Sequence, residues 1–466
     1  MIKQLFEKRS ALFNKKNVER VAEAPALILD KTVLTSQQIH DTVTQPHIKR
    51  AKRYWQTLGP GLTTGAADDD PSGIATYSQT GAQFGFQLLW LASFTFPLMA
   101  VVQEMCARIG LVTGRGLAAN IRRFFPNWVV YVVTVLLIVA NTLNIGADLG
   151  AMAEATRLLF KGADFIFLLI GFTAISIGLQ IFTSYERYAK YLKWLALILL
   201  SYIFSAISAG IDYKDLLAHA IIPSISISKD QIFLICAILG TTISPYLFFW
   251  QTSQEVEEEI LRGKITLALR KGTNARSVKK MRTDVWSGMF LSNLVMFFII
   301  AACAAVLFPR GITNIQTAAQ AAEALRPIAG DQTYLLFALG IIGVGMLAVP
   351  ILAGSSAYAL SEALEWKFGL HNKLSDAYSF YGVIIISLVI GLFVNLLHID
   401  PIKMLLYSAV ANGLIAPVIL VLIVIISSNR KIMGEWSNNK SITAVGIFTV
   451  VLMAVAGAAT ILSMFF

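Results

Sequence analysis

The sequence predicts an all-α integral membrane protein whose chain crosses a bilayer about eleven times, and three observations predict it. The 466 residues are 56% hydrophobic and only 14% charged, with a mean hydropathy of +0.66, too apolar for an ordinary water-soluble surface. Apolar runs of roughly 20 residues, enough to cross a hydrocarbon core of about 30 Å, recur with short polar gaps between them. The basic residues concentrate in alternate gaps.

Residues 1–53 form a polar, basic head that holds no apolar core long enough for a signal peptide, and they are expected to be a cytoplasmic extension. The transmembrane domain occupies 54–466, with spans near 56–83, 86–108, 128–156, 165–183, 191–210, 232–258, 284–308, 334–364, 379–397, 402–427 and 441–465. Of the 38 Lys and Arg residues, 31 lie in the head, in the loops that share its side, or at the adjoining span ends. The opposite side has only Arg157, Lys161, Lys214, Lys229, Arg310, Arg326 and Lys403. The positive-inside tendency therefore places the head in the cytoplasm and Phe466 outside, in a cell membrane (plasma or bacterial inner). The net charge of +10 is thus an orientation signal against the anionic leaflet and implies no nucleic-acid partner. Cys106, Cys236 and Cys303 fall inside apolar runs and read as small core residues.

Two spans are interrupted by helix breakers beside polar residues. The first reads Gly65-Ala66-Ala67-Asp68-Asp69-Asp70-Pro71-Ser72-Gly73-Ile74, and the sixth reads Gly240-Thr241-Thr242-Ile243-Ser244-Pro245-Tyr246. Proline lacks an N–H and frees a carbonyl, and irregular backbone at that depth survives only where it lines a cavity. The interruptions open two five-span halves, at about 54–210 and 232–427, with an extra helix at about 441–465. Discontinuous helices at matching positions of inverted repeats point to a substrate site near the midplane, so a secondary transporter is expected.

A carboxylate at that depth costs about 2.5 kcal/mol or several times that, so it has a partner or a function. Asp70 is the first choice of ligand, placed where the first half-helix ends, beside freed carbonyls and the negative end of a helix dipole. Of Asp68 and Asp69, at least one is expected to face a water-filled vestibule. Thr241, Ser244 and backbone carbonyls offer further oxygen, a donor set suited to a hard cation such as Mg²⁺, Ca²⁺ or Mn²⁺. No thioether lies in the two interrupted motifs.

In the third span Asn141, Asn144 and Asp148 share a helical face, with Glu154 nearer its outer end. Asp148 is a candidate proton carrier, an interhelical hydrogen bond being the structural alternative. Gln251 and Glu255 share a face of the sixth span, and Ser355, Ser356, Tyr358, Ser361 and Glu362 mark the eighth, consistent with a hydrated pathway or with close packing. His219 and His398 fall near span ends and read as interfacial. The chain shows no zinc-ligand spacing, no phosphate-cradling loop and no nucleophile paired with a base, so an enzyme is not expected.

The segments Leu58-Gly59-Pro60-Gly61, Asp70-Pro71-Ser72-Gly73, Gln79-Thr80-Gly81-Ala82-Gln83-Phe84-Gly85, Arg108-Ile109-Gly110-Leu111-Val112-Thr113-Gly114 and Asn429-Arg430-Lys431-Ile432-Met433-Gly434-Glu435 resemble the Nramp family of divalent metal transporters, over roughly residue 55 to the C-terminus. The resemblance implies a leucine-transporter-like fold, a 5+5 inverted repeat, that imports Mn²⁺, Fe²⁺ or a related ion, often with protons. The metal is then the transported substrate, with no separate cofactor. Family members typically carry Asp-Pro-Gly-Asn in the first span and Met-Pro-His in the sixth. Here Asp70 keeps the Asp place, Gly73 stands for the Asn, Ser244 replaces the Met and Tyr246 replaces the His. Thr241 supplies the metal-binding carbonyl three residues before the Met position. Asp148 matches the third-span aspartate, whereas Asn141 and Ala151 stand where acidic partners commonly occur. A related branch that carries Mg²⁺ also lacks the Met, in keeping with the oxygen-only donor set.

The expectation is a divalent-cation importer tilted toward a hard ion, with Asp70, Gly73, Thr241 and Ser244 at the metal and Asp148, Asn141 and Tyr246 in proton movement or gating. The alternative is a symporter of an amino acid or other small organic solute, in which half-helix N–H groups after Pro71 bind a carboxylate. Asp70 would repel such a carboxylate unless an amine or a cotransported cation paired with it. A receptor that binds without transport would need a sizeable signalling domain, and the head has no evident fold.

Overall fold

The computed structural model describes residues 59–183, 200–226, 228–397 and 400–465. The basic head at 1–53, Leu58, the loop at 184–190, the start of the fifth span at 191–199 and His398 lie outside the described residues. Among the described residues every regular element is a helix.

The first span is two helices, α1 (Pro60–Asp68) and α2 (Pro71–Phe84), followed by α3 (Trp90–Thr113) and the short amphipathic α4 (Leu117–Phe124). The third and fourth spans are α5 (Asn127–Leu159) and α6 (Phe165–Phe182). The fifth span is described only from its end, α7 (Ser201–Ser208), and α8 (Tyr213–Ile221) follows it. The sixth span is again two helices, α9 (Lys229–Thr242) and α10 (Pro245–Leu261). Four long helices and one of 17 residues complete the chain: α11 (Ala275–Val306), α12 (Thr333–Leu364), α13 (Tyr378–Val394), α14 (Pro401–Ser428) and α15 (Lys440–Phe465).

The breaks arise from local chemistry. Pro71 and Pro245 occupy the first turns of α2 and α10, where a missing N–H costs nothing and the fixed φ suits a helix start. The residue before a proline is driven out of the helical region, and Asp70 (φ −66°, ψ 171°) and Ser244 (φ −83°, ψ 134°) are both extended. Each proline thus ends one half-helix and starts the next instead of kinking a continuous one. Elsewhere the helix starts follow ordinary capping: Asp164, Ser228, Asn274 and Asp400 each accept a backbone N–H of the first turn.

Among the described residues eight helical stretches are long and apolar enough to cross a membrane, taking α9 with α10 as one stretch. The predicted spans missing from that set are the broken first one, the partly described fifth and the 17-residue α13. Only 22% of the apolar window of α6 and 28% of that of α15 are buried, so these helices turn most of their apolar surface outward. A soluble protein would not leave such faces open.

The broken helices sit inside the bundle. α11 packs along α1, α2 and α3, α9 packs on α14, and α12, α13 and α14 pack around α5. Two glycine contacts set the closeness: a Cβ on Gly65 would lie 2.3 Å from the Gly288 carbonyl oxygen, and one on Gly240 would lie 2.1 Å from that of Ala409. Small residues at such crossings let backbones touch where no hydrophobic effect drives association. Cys106, Cys236 and Cys303 are buried free thiols, as expected.

Candidate functional site

Asp70 lies between the two half-helices, and its side chain caps the second one. Its Oδ1 accepts from the Gly73 N–H at 2.7 Å and from the Ser72 hydroxyl at 2.7 Å, while its Oδ2 accepts from Asn144 Nδ2 at 2.8 Å. The carboxylate is therefore held at the positive end of α2, with α1 ending just before it. This differs from the sequence expectation, which set Asp70 only against the negative end of α1. The extended backbone before Pro71 turns the side chain onto the next helix. Gly73 contributes its N–H and no ligand oxygen. A Cβ there would sit 3.2 Å from Thr241 Oγ1 and 3.4 Å from the Asp68 carbonyl oxygen, so glycine lets the two breaks approach.

At the sixth-span break, Ser244 takes the N-cap position of α10 but its hydroxyl turns back to α9. It donates to the carbonyls of Thr241 at 2.6 Å and Gly240 at 2.8 Å. The Thr241 carbonyl, the expected ligand, thus carries one hydroxyl on one lone pair and keeps the other. The Thr241 hydroxyl lies 3.5 Å from that of Ser72, the polar contact that joins the two breaks. Tyr246 reinforces it: its hydroxyl donates to the Ala67 carbonyl at 2.9 Å, satisfying an acceptor freed where α1 stops.

The face of α5 divides. Asn144 meets Asp70, and Asp148 is fully buried with neither carboxylate oxygen hydrogen-bonded among the described residues. Asn141 turns instead to α12, where its Nδ2 donates to the Leu352 carbonyl and to the hydroxyls of Ser355 and Ser356 at 2.9–3.0 Å. Residues three apart diverge by about 60° around a helix, enough for α12 to claim Asn141. Glu154 pairs with Arg157 at 2.9 Å, and it lines a small cleft of about 20 Å³ together with Pro71, Ala151, Phe337 and Ile402.

Asp68 and Asp69 do not face an open vestibule in this conformation. Both are buried and both turn toward Ser292 of α11, at 2.7 and 3.2 Å. The remaining polar marks are wired as structure. Thr64, Gln251 and Glu255 form a chain with steps of 2.6 and 3.0 Å between α1 and α10. Tyr358 donates to Glu257 at 2.7 Å, and Glu362 accepts from the Ala119 N–H at 3.0 Å. His219 bonds locally to Asp215. The sequence reading left Asp284 unassigned, although it receives the N–H groups of Gly59, Gly61 and Leu62 at 2.7, 2.7 and 3.1 Å and so ties down the start of α1. The signal was present as the single acid between Lys280 and the long apolar run of α11.

No three acidic, histidine or cysteine groups converge among the described residues. The groups bonded across the breaks are oxygens and amides. Two thioethers are close by: Met296 Sδ lies 3.9 Å from the Thr242 hydroxyl, and Met152 packs on Gly345, where a Cβ would meet its sulfur at 2.5 Å and Pro71 at 3.3 Å.

The sequence model of natural resistance-associated macrophage protein-like (Nramp) proteins matches residues 61–463 of this chain. The chain belongs to the Nramp family. Among curated relatives, a divalent metal cation transporter MntH of Klebsiella pneumoniae is 25% identical over 395 residues, which cover 84% of this chain and 89% of the relative. Among solved structures, the manganese transporter of Eremococcus coleocola, crystallised with an aromatic bis-isothiourea substituted compound, has a TM-score of 0.69 at 17% identity, covering 89% of this chain and 87% of that one. MhsT, crystallised with L-phenylalanine, has a TM-score of 0.55 at 14% identity, over 87% of this chain and 98% of its own. The leucine-transporter-like, all-α fold with broken first and sixth spans, which the resemblance implied, is the fold of this multi-pass Nramp protein.

Proposed function

We propose that this Nramp chain imports a divalent metal cation by alternating access, with Asp70 as the central ligand and Mg²⁺ or Mn²⁺ as cargo. One observation carries the reading. Asp70 and Asp148 are buried carboxylates, no lysine, arginine or histidine pairs with either among the described residues, and Asp70 sits at paired helix breaks lined with oxygen while Asp148 lies inside the continuous α5. A cation is what such a site lacks. The Thr241 carbonyl and Ser244 hydroxyl are the second-break ligands, exchanging their mutual hydrogen bond for metal, and Gly73 positions Asp70 through its N–H. Oxygen donors favour a hard ion, although Met152 keeps a softer donor near the break.

Asp148 is the proton carrier in this scheme, because its unbonded carboxylate needs either a proton or a cation to be buried. Tyr246 and Asn141 hold the gating contacts of α10 with α1 and of α5 with α12. The five-span halves, at about 54–210 and 232–427, supply the repeat that rocks, and the helix at about 441–465 lies outside it. The basic head at 1–53 is cytoplasmic and the membrane is the cell membrane. The organic-solute reading loses its main support. The N–H of Gly73, which would bind a substrate carboxylate at the start of α2, is occupied by Asp70 itself.

Uptake of Mn²⁺ and of Mg²⁺ into proteoliposomes, with an internal pH dye, tests the proposal. Wild type should concentrate at least one of the ions and Asp70→Ala should not, with both proteins equally monodisperse. Full uptake by Asp70→Ala would sink the assigned site.

A further inference from the structure

We propose that Asn144 of α5 is a ligand of the cation that Asp70 holds and supplies its amide oxygen, an inference that rests on the import reading above. The two oxygens of Asp70 are used differently. Oδ1 is filled by the Gly73 N–H and the Ser72 hydroxyl, both at 2.7 Å, and so belongs to the cap of α2. Oδ2 meets Asn144 Nδ2 at 2.8 Å. Oδ2 is therefore the oxygen left to face a cation, and the Asn144 amide is what stands against it.

Asn144 is fully buried, and its own Oδ1 has no hydrogen bond among the described residues. A buried acceptor left without a donor costs about 1–3 kcal/mol. Asn141 and Asn395 also leave an amide oxygen unbonded, but their Nδ2 groups donate to neutral carbonyls and hydroxyls of neighbouring helices. Such bonds fasten one helix to another. The Asn144 amide instead faces a carboxylate, a partner that a cation can take over.

The geometry suits that exchange. The oxygen and nitrogen of an amide are close in size, and a half-turn about the last side-chain bond of Asn swaps them in place. Oδ1 then stands where Nδ2 stands now, 2.8 Å from Asp70 Oδ2. Two oxygens at that distance repel unless a cation lies between them. A separation of about 2.8–3.0 Å is the edge of an octahedral shell with bonds of about 2.0–2.1 Å, the Mg²⁺ distance. The nitrogen that leaves Asp70 is not stranded. Asp148 lies four positions on, a neighbour on the helix surface, and both of its oxygens lack a hydrogen bond among the described residues. Turning the amide thus gives an oxygen to the cation and an N–H to an acceptor that lacks one. Because Gly73 places no side chain on α2 here, the amide oxygen of the site comes from the third span. It is a neutral, hard donor, which adds to the preference for Mg²⁺ or Mn²⁺ over a soft ion.

The test is equilibrium dialysis of the purified full chain against radioactive Mn²⁺ and, separately, radioactive Mg²⁺, at one pH and equal monodispersity. Asn144→Leu keeps the side-chain volume and removes both polar atoms, and it should weaken binding at least about tenfold. Asn144→Asp restores an oxygen but not the N–H, so it should bind at least as tightly as wild type. Equal binding by Asn144→Leu and wild type overturns the assignment. So does a loss in Asn144→Asp as deep as that in Asn144→Leu, because Asn144 would then only position Asp70 through its N–H. A wild type that binds neither ion overturns the assignment together with the import reading. Binding that is lost in Asp70→Ala but kept in Asn144→Leu overturns the assignment alone and leaves the import reading standing.

Discussion

Asp70 shows how one side chain serves two purposes at a helix break. Its carboxylate caps α2, which stabilises that half-helix by about 1 kcal/mol in ordinary settings, and it is also the charge to which a cation would bind. Tyr246 stands opposite, closing the gap between α10 and the last turn of α1. Tyr246→Phe removes only that hydrogen bond, worth about 0.5–1.5 kcal/mol, and leaves the Ala67 carbonyl buried without it. We expect it to lower the uptake rate several-fold in proteoliposomes with little change in thermal stability. A rate equal to wild type would mean that the contact plays no part in gating.

At the scale of elements, the half-helices are held by close backbone contact and by a cap. Gly240→Val would drive a side chain into the Ala409 carbonyl and Gly413, separating α9 from α14. Overpacking of this kind costs about 1–3 kcal/mol, to be read as a lowered melting temperature in detergent. Asp284 acts at the other end of α1, taking three N–H groups of its first turn. Asp284→Ala leaves those donors without their acceptor, at about 1–3 kcal/mol, and frees the start of α1 from α11. Cysteines introduced along α1 should then react faster with a water-soluble maleimide, at unchanged protein yield. Unchanged labelling would show that packing alone secures α1.

The described helices form a bundle whose outer members carry apolar surface and whose buried groups include Asp68, Asp69, Asp70 and Asp148. With the basic residues concentrated on one side, the head is expected in the cytoplasm. A protease-cleavable tag at Met1 should be protected in intact cells and cut once the membrane is permeabilised. Cleavage in intact cells would reverse the orientation.

The two break positions and eight long apolar stretches were legible in the chain, because a bilayer demands long apolar helices and proline dictates where a helix starts, although α11 begins at Ala275, well before the predicted 284. The placement of Asp70 at the first break also needed only the sequence, since the proline after it drives it out of the helical region. Partners were not legible. Asn141 and Asn144 read as equivalent on one face, yet one bonds to α12 and the other to Asp70. Ser244 read as a free donor, yet its hydroxyl is returned to α9. Asp68 and Asp69 read as candidates for a vestibule, yet α11 covers them. Helix periodicity assigns a side chain to a face, but which neighbour meets that face depends on packing between segments far apart in the chain, such as Asp68 and Ser292 with a separation of 224. Local rules carry no information at that distance, so only the tertiary structure decided which buried polar groups are bonded and which are left without a partner.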